Sequence, residues 1–297
     1  MASINDLAAA ASALVNPAAA AAASPPQSVP DPGPTAAEPA PPVARGALIV
    51  LEGLDRSGKT TQVKLLEQRF VELGRKVKVM RFPDRTTPIG QMIDSYLKSQ
   101  VDMDDHVIHL LFSANRWEAA KTISTLLSSG VTVLCDRYYY SGIVYSAAKQ
   151  NPSLTLSWAR SPEVGLPRPD LVLFLDLDES QARLRGGWGG EAYEKVEMQR
   201  RVRELFWGLS FGKIGTATVQ PEGGKAGGPE DEVAVGPPSA APLSGPEYRF
   251  RQEEEDLHVI DASSSVEEVA EEVWKVVKER VEMVERGELG RVVRRVL

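Results

Sequence analysis

The sequence predicts an α/β fold, a five-stranded parallel sheet flanked by helices, and three observations carry that prediction. Five short runs, Ala47–Leu51, Lys76–Met80, Val131–Leu134, Leu171–Leu175 and Leu257–Ile260, alternate with helical patterns, the order that builds a doubly wound sheet. The runs at 47–51, 131–134 and 171–175 are almost wholly apolar, as strands buried on both faces must be. A glycine-bearing loop, Gly53 to Thr60, separates the first run from the first helical pattern, and open α/β sheets carry their ligand loops at such strand ends.

Each element has its own signal. Val63, Leu66, Phe70 and Leu73 recur at helical spacing through Thr61–Leu73. The alternating second strand ends at Arg81-Phe82-Pro83, where Pro83 breaks the ladder. Pro88 starts a short helix to Lys98, and Asp104 and Asp105 favour the N-terminus of a long one that Gly130 closes after Ser129. The third strand delivers Asp136-Arg137 at its end. After the fourth strand come Glu179–Arg185, a glycine-rich stretch from Gly186 to Gly190, and a helix through Glu204 and Phe206. Ser265 and Glu268 have capping-box spacing ahead of a last helix whose stripe is Val269, Val273, Val276 and Val277.

Composition sets the outline. Fifteen of the 21 prolines in this 297-residue chain fall within Met1–Arg45 or Gly212–Glu247, where they cannot support helices or central strands. We therefore expect a disordered Ala/Pro-rich arm at 1–45 and one domain at 46–297 that carries a low-complexity insertion at 212–247. A net charge of −7 argues against a nucleic-acid polymer as partner, while small phosphorylated ligands remain open. The single cysteine, Cys135, lies in an apolar run and reads as core filler in a reducing compartment. No Lys or Arg precedes Arg45, so no secretory or mitochondrial targeting signal is expected, and no stretch is long and apolar enough to span a membrane. A cytoplasmic or nuclear protein is the expectation. The three histidines have no zinc-site arrangement, and His106 and His109 read as helix-face residues.

Gly53-Leu54-Asp55-Arg56-Ser57-Gly58-Lys59-Thr60 is a phosphate-binding loop in form, since its glycines let the backbone curl and aim N–H groups at one anion. Lys59 reaches the outer phosphates and the Thr60 hydroxyl ligates Mg²⁺. Asp136 follows a buried strand, so a metal-bound water or Arg137 must compensate its charge. The loop alone leaves GTPases, ATPases and small-molecule kinases open. No Asn-Lys pair occurs, which removes the common guanine-reading signature.

Taken in order with this loop, several segments resemble the thymidylate kinases: Phe82-Pro83-Asp84-Arg85, Leu110-Leu111-Phe112-Ser113-Ala114-Asn115-Arg116-Trp117-Glu118, Asp136-Arg137-Tyr138-Tyr139-Tyr140-Ser141-Gly142, Ser146-Ala147-Ala148-Lys149, the lid-like stretch from Arg185 through Trp188 to Glu194, and Val259-Ile260-Asp261-Ala262. The resemblance implies a P-loop nucleoside monophosphate kinase-like fold with a lid at about 183–194. It also implies a homodimer and the ATP-dependent phosphorylation of dTMP to dTDP. Another pyrimidine nucleotide or deoxynucleoside as acceptor, or a catalytically inactive nucleotide-binding regulator, are the alternatives.

By the same resemblance, ATP lies on Gly53 to Thr61 and Arg185, and the acceptor phosphate is clamped by Arg85 and Arg137 beside Phe82. Phe112 stacks on the base and Arg116 donates to its carbonyl. Tyr140 crowds the sugar's 2′ side, Asp55 contacts its 3′-hydroxyl, and Tyr193 of the lid joins the substrate contacts. Arg56, Lys59, Arg137 and Asp55 are the expected catalytic group. Arg56 is placed first because a cation in the loop can meet charge on the moving phosphoryl group, as in the eukaryotic type of the family. Departures are Asp84 for Glu, Trp188 for Phe and Ala192 for the lid arginine.

Overall fold

The structure is a computed structural model that describes residues 44–185, 191–211 and 250–297. The expected arm up to residue 43, the insertion at 212–247 and the lid positions 186–190, Trp188 among them, lie outside the described residues.

Five strands, β1 (Leu48–Gly53), β2 (Val77–Arg81), β3 (Thr132–Asp136), β4 (Leu171–Asp176) and β5 (Leu257–Asp261), form one sheet in the order β2-β3-β1-β4-β5. Every pairing is parallel. Side chains alternate across a strand, and both faces of the central strands are covered. Leu48 and Val50 of β1, with Val172 and Phe174 of β4, join one apolar core, while Ile49, Leu51, Leu171, Leu173 and Leu175 join the other. That two-sided burial explains the unbroken apolar runs.

The second core is closed by α1 (Lys59–Glu72) and α9 (Val266–Glu285). Ser265 and Glu268 form the expected capping box, and Val269, Val273, Val277, Val281 and Val284 are buried against the sheet. The first core is covered by α3 (Asp105–Ser128), α4 (Tyr139–Ala147) and α7 (Val196–Ser210). Helix α2 (Pro88–Leu97), capped by Thr87, packs Ile93 and Leu97 against Ile108 of α3. Short helices α5 (Leu156–Arg160), α6 (Glu179–Leu184) and α8 (Arg251–Asp256) complete the order, with a 3₁₀ turn at Ser161–Glu163.

Three helices have no counterpart among the expected elements. Helix α4 is buried on every side from Tyr139 to Ser146, so it shows no amphipathic period. Helices α5 and α8 span five and six residues, too short for a period to register. His109 also departs from expectation: it is fully buried, its Nδ1 lying 2.7 Å from Ser146 Oγ. Cys135 is fully buried, and burial pushes its thiol pKa up. Arg45, expected at the end of the arm, instead belongs to the folded domain. It is buried and paired with Asp170 at 2.7 Å.

β1 lies between β3 and β4, so the chain leaves it toward one side of the sheet and later returns on the other. A crevice at the carboxyl strand ends follows from that reversal. Leu51 stands beside Asp136 in the register, which sets the loop after β1 against the residues after β3.

Candidate active site

Glycine is required at the end of β1. Gly53 has φ 147°, and a Cβ there would lie 2.6 Å from Ser57 Oγ and 2.7 Å from the Leu175 carbonyl. Gly58, with φ 97°, turns the chain into α1. Between them Leu54 anchors the loop in the core, and its carbonyl accepts a bond of 2.5 Å from Lys59 Nζ, which also reaches Ser57 Oγ at 3.4 Å. Burial brings the Lys59 pKa down to about 7, helped by the charge of Arg137 and opposed by Asp55, Asp136 and Glu52. Thr60 Oγ1 donates to Asp136 Oδ2 at 2.6 Å. Arg185 Nη1 donates to the Arg56 carbonyl at 3.3 Å and Nη2 to the Ala262 carbonyl at 2.9 Å. A depression lined by Arg56, Lys59, Thr60, Thr61, Arg185 and Ser265 opens over the loop.

A second cavity, of about 250 Å³, opens on the other side of Arg56 and brings together Asp55, Phe82, Arg85, Phe112, Arg116, Arg137 and Tyr193. Elements far apart in the chain place them. Arg137 adopts φ 66° directly after β3. Its Nη1 donates to the Gly53 carbonyl at 2.8 Å and to Ser141 Oγ at 3.0 Å, and its Nη2 pairs with Asp55. Burial disfavours that charge, but Tyr145, Asp55, Glu52 and Asp136 together hold the guanidinium protonated above its ordinary range. Burial likewise raises Asp55, yet Arg137, Lys59 and a bond from Gln199 outweigh it and leave the carboxyl below its usual value.

Phe82 lies against Tyr138 and is followed by a cis peptide to Pro83. Asn115 holds the next turn, accepting from Asp84 N at 2.7 Å, so Arg85 projects from a fixed loop. Arg85 pairs with Asp94 at 2.7 Å and with Glu191 at 2.8 Å. Ala192 N donates to the Leu97 carbonyl at 2.8 Å, and the Tyr193 ring lies 5.5 Å from Tyr145 and 5.9 Å from Tyr96. Arg56 Nη2 is 3.5 Å from Glu194 Oε1. Residues 191–194 thus touch the loop on one side and α2 on the other.

Tyr140 is a correction. It is fully buried in the core with its ring 4.5 Å from that of Tyr139, and it does not line the cavity. Tyr138, Ser141, Gly142, Tyr145 and Ser146 line it instead, a spacing of three and four that marks one face of α4. Tyr140 points elsewhere because the segment is a helix. Arg116 is 2% exposed and forms a two-pronged pair with Glu163.

Besides Tyr145, three residues that motif spacing missed complete the site. Gln199 donates to Asp55 Oδ2 at 2.9 Å and to the Tyr193 carbonyl at 2.8 Å, and accepts from Asp55 N at 3.2 Å. Glu52, fully buried, accepts from Tyr138 N and from both the backbone and hydroxyl of Ser141, and burial raises its pKa against these donors and Arg137. Its signal was legible: a lone carboxylate in an apolar strand needs donors. Glu163 and Gln199 had no such local mark.

Comparison with known proteins places this geometry. The family model described as thymidylate kinase matches residues 51–211. A thymidylate kinase of Schizosaccharomyces pombe is 54% identical over 162 residues, which cover 54% of this chain and 76% of that protein. The Homo sapiens thymidylate kinase is 49% identical over the same length and shares. The solved structure of a thymidylate kinase from Candida albicans aligns with TM-score 0.63 and 30% identity, covering 85% of this chain and 99% of the other.

Proposed function

Because the chain belongs to the thymidylate kinase family, we infer that it is a transferase of nucleotide biosynthesis, an ATP-dependent kinase that phosphorylates dTMP to dTDP. One observation supports this reading above the others: Arg56 lines both the depression over the phosphate loop and the cavity beside it. Donor and acceptor sites that share a single arginine have the arrangement that phosphoryl transfer needs.

ATP lies along Gly53 to Thr61, its outer phosphates on the loop amides and Lys59 and its far side under Arg185. dTMP enters the cavity with its phosphate toward Arg85 and Arg137, its sugar beside Asp55 and Tyr145, and its base between Phe112 and Arg116. The acceptor phosphate oxygen is the nucleophile and is already ionised at neutral pH, so no side chain must remove its proton. The work left to the chain is to hold two anions in line and neutralise them. Arg56 meets the charge that grows on the group in flight. Carboxylates now on Arg85 and Arg137 are partly exposed, so an incoming phosphate can displace them.

The donor set fits a Mg²⁺ ion. A hydroxyl and a carboxylate 2.6 Å apart at the loop's end supply hard oxygens, and Mg²⁺ takes one or two protein groups beside phosphate and water. Thr60 would hold it directly and Asp136 through water. When bound, the ion offsets charge on the β- and γ-phosphates.

A homodimer is part of this reading. Val269, Val273, Val277, Val281 and Val284 of α9 are spent on the protein's own core, whereas Val107, Leu110 and Trp117 form an exposed stripe on α3, with Met92 exposed on α2. Among the described residues no helix is long and apolar enough to cross a membrane, so that stripe is not a spanning segment. The arm and the insertion stand outside catalysis.

An ADP-release assay with MgATP and dTMP, dUMP, UMP, CMP and thymidine tests the assignment. We expect dTMP to be preferred. Clear preference for another acceptor, or no turnover with any, overturns it.

A further inference from the structure

We propose that Glu163 is a positioning residue that converts Arg116 from an anion binder into a reader of a neutral carbonyl group, and so sets which way round the acceptor nucleotide enters. The proposal rests on the acceptor cavity assigned above.

The cavity is lined by several guanidinium groups, among them Arg85, Arg137 and Arg116. Any of these could take a phosphate, since planar guanidinium groups match phosphate oxygens two at a time. What separates them is the carboxylate each one holds. The partners of Arg85 and Arg137 are accessible, with side-chain exposures of 22% for Asp94, 36% for Glu191 and 30% for Asp55. Glu163 is 0% exposed against Arg116 at 3%. A phosphate can replace a partly exposed carboxylate, since Asp94 and Glu191 can turn to water and Asp55 keeps its bond from Gln199. It cannot replace Glu163, which would remain buried and uncompensated.

The pair is also held from outside. Glu163 Oε2 accepts from Arg116 Nε at 2.9 Å and Oε1 accepts from Nη2. A Cβ at position 142 would lie 2.6 Å from Arg116 Nη2 and 3.1 Å from Nη1, so α4 approaches the guanidinium at a glycine. Ser113 and Trp117, on the same side of α3 as Arg116, both donate to the Pro162 carbonyl, at 3.2 and 2.7 Å. Beyond the turn, Gly165 N donates to the Val296 carbonyl at 2.8 Å and Val296 N to the Leu166 carbonyl at 2.9 Å. The turn therefore cannot follow a swinging arginine. With Nε and Nη2 committed and the charge cancelled locally, Arg116 offers the cavity its remaining Nη1 edge, suited to a carbonyl oxygen and poor for a second phosphate.

The test uses the full chain carrying E163Q and, separately, E163D, with dTMP varied at saturating MgATP and inorganic phosphate and dCMP added as competitors. E163Q keeps the shape and removes the charge. We expect its KM for dTMP to rise about tenfold, with kcat and the KM for ATP little changed, and inorganic phosphate to compete with dTMP about tenfold more strongly. Discrimination against dCMP should fall; E163D, which keeps the charge but draws the carboxylate back from Arg116 by one methylene, should retain weak phosphate competition while its KM for dTMP rises. Unchanged KM for dTMP and unchanged phosphate inhibition in E163Q would overturn the proposal. So would equal rises in both KM values with a lowered melting temperature, the mark of a purely structural role. If E163Q does not fold, E163D decides: a raised KM for dTMP at constant KM for ATP supports the proposal, and no change overturns it. Wild-type enzyme that ignores dTMP would instead remove the acceptor assignment on which all of this stands.

Discussion

At Arg56 the backbone turns left-handed, with φ 67°, in a loop whose neighbours are fixed by Lys59 and by Arg185 on its carbonyl. That turn lets one side chain border both depressions. Replacing Arg56 by Ala should lower kcat by about a hundredfold while both KM values change less, because the lost donor acts on charge present only in the transition state. Steady-state kinetics decides it, and unchanged turnover would take Arg56 out of the mechanism. Phe112 carries the contrasting prediction. It is half-buried at the cavity wall, so Phe112→Ala should weaken dTMP far more than ATP. Equal weakening of both would indicate packing. Both residues were legible in motifs of contiguous residues, whereas Tyr145 was not, because which tyrosine of α4 faces the cavity depends on the phase of a helix without an amphipathic pattern.

At the scale of elements, α3 and α4 both line the second cavity, and His109 and Ser146 fasten them at 2.7 Å. Burial first, and then the nearby charge of Arg116, push the His109 pKa down to about 4. An unfolded histidine titrates near 6.5, so the unfolded chain takes up the proton first as pH falls. Stability from this group is therefore full above about pH 6.5 and is lost toward pH 4, by on the order of 2 kcal/mol at pH 4.5. Denaturant midpoints at pH 7 and 4.5 should show a shallower acid loss in His109→Gln than in wild type. An identical loss would mean that His109 is not proton-linked to folding. Strands and long helices announced themselves by period, while α5 and α8 were too short and α4 too evenly buried to do so.

For the whole molecule, a buried charge just before β1 ties together parts of the chain far apart in sequence. Arg45 joins Asp170 by two bonds and the Gly290 carbonyl by a third, so it ties the start of β1 to the entry of β4 and the C-terminal segment. Removing residues 1–43 should leave activity unchanged. Arg45→Ala should lower stability by on the order of 3 kcal/mol, since Asp170 is left buried with reduced compensation, a loss visible in chemical denaturation. If both changes are silent, Arg45 belongs functionally to the arm. Leu110→Glu on the exposed stripe of α3 should shift a dimer to monomer in sedimentation velocity without lowering the melting temperature. A monomeric wild type would remove the dimer from this reading.

The arginines and aromatic residues were marked by the resemblance that their contiguous motifs carry, whereas the chain alone determined the strands, the long helices and the glycine loop after β1. It could do so because strand burial, helix period and loop curvature are set by neighbours within a few residues. The tertiary structure decided the pairings. Glu163 reaches Arg116 across 47 residues, Gln199 reaches Asp55 across 144, and Arg137 reaches Asp55 across 82. Those contacts depend on the strand order and on which face each helix turns inward, and neither is a property of local spacing.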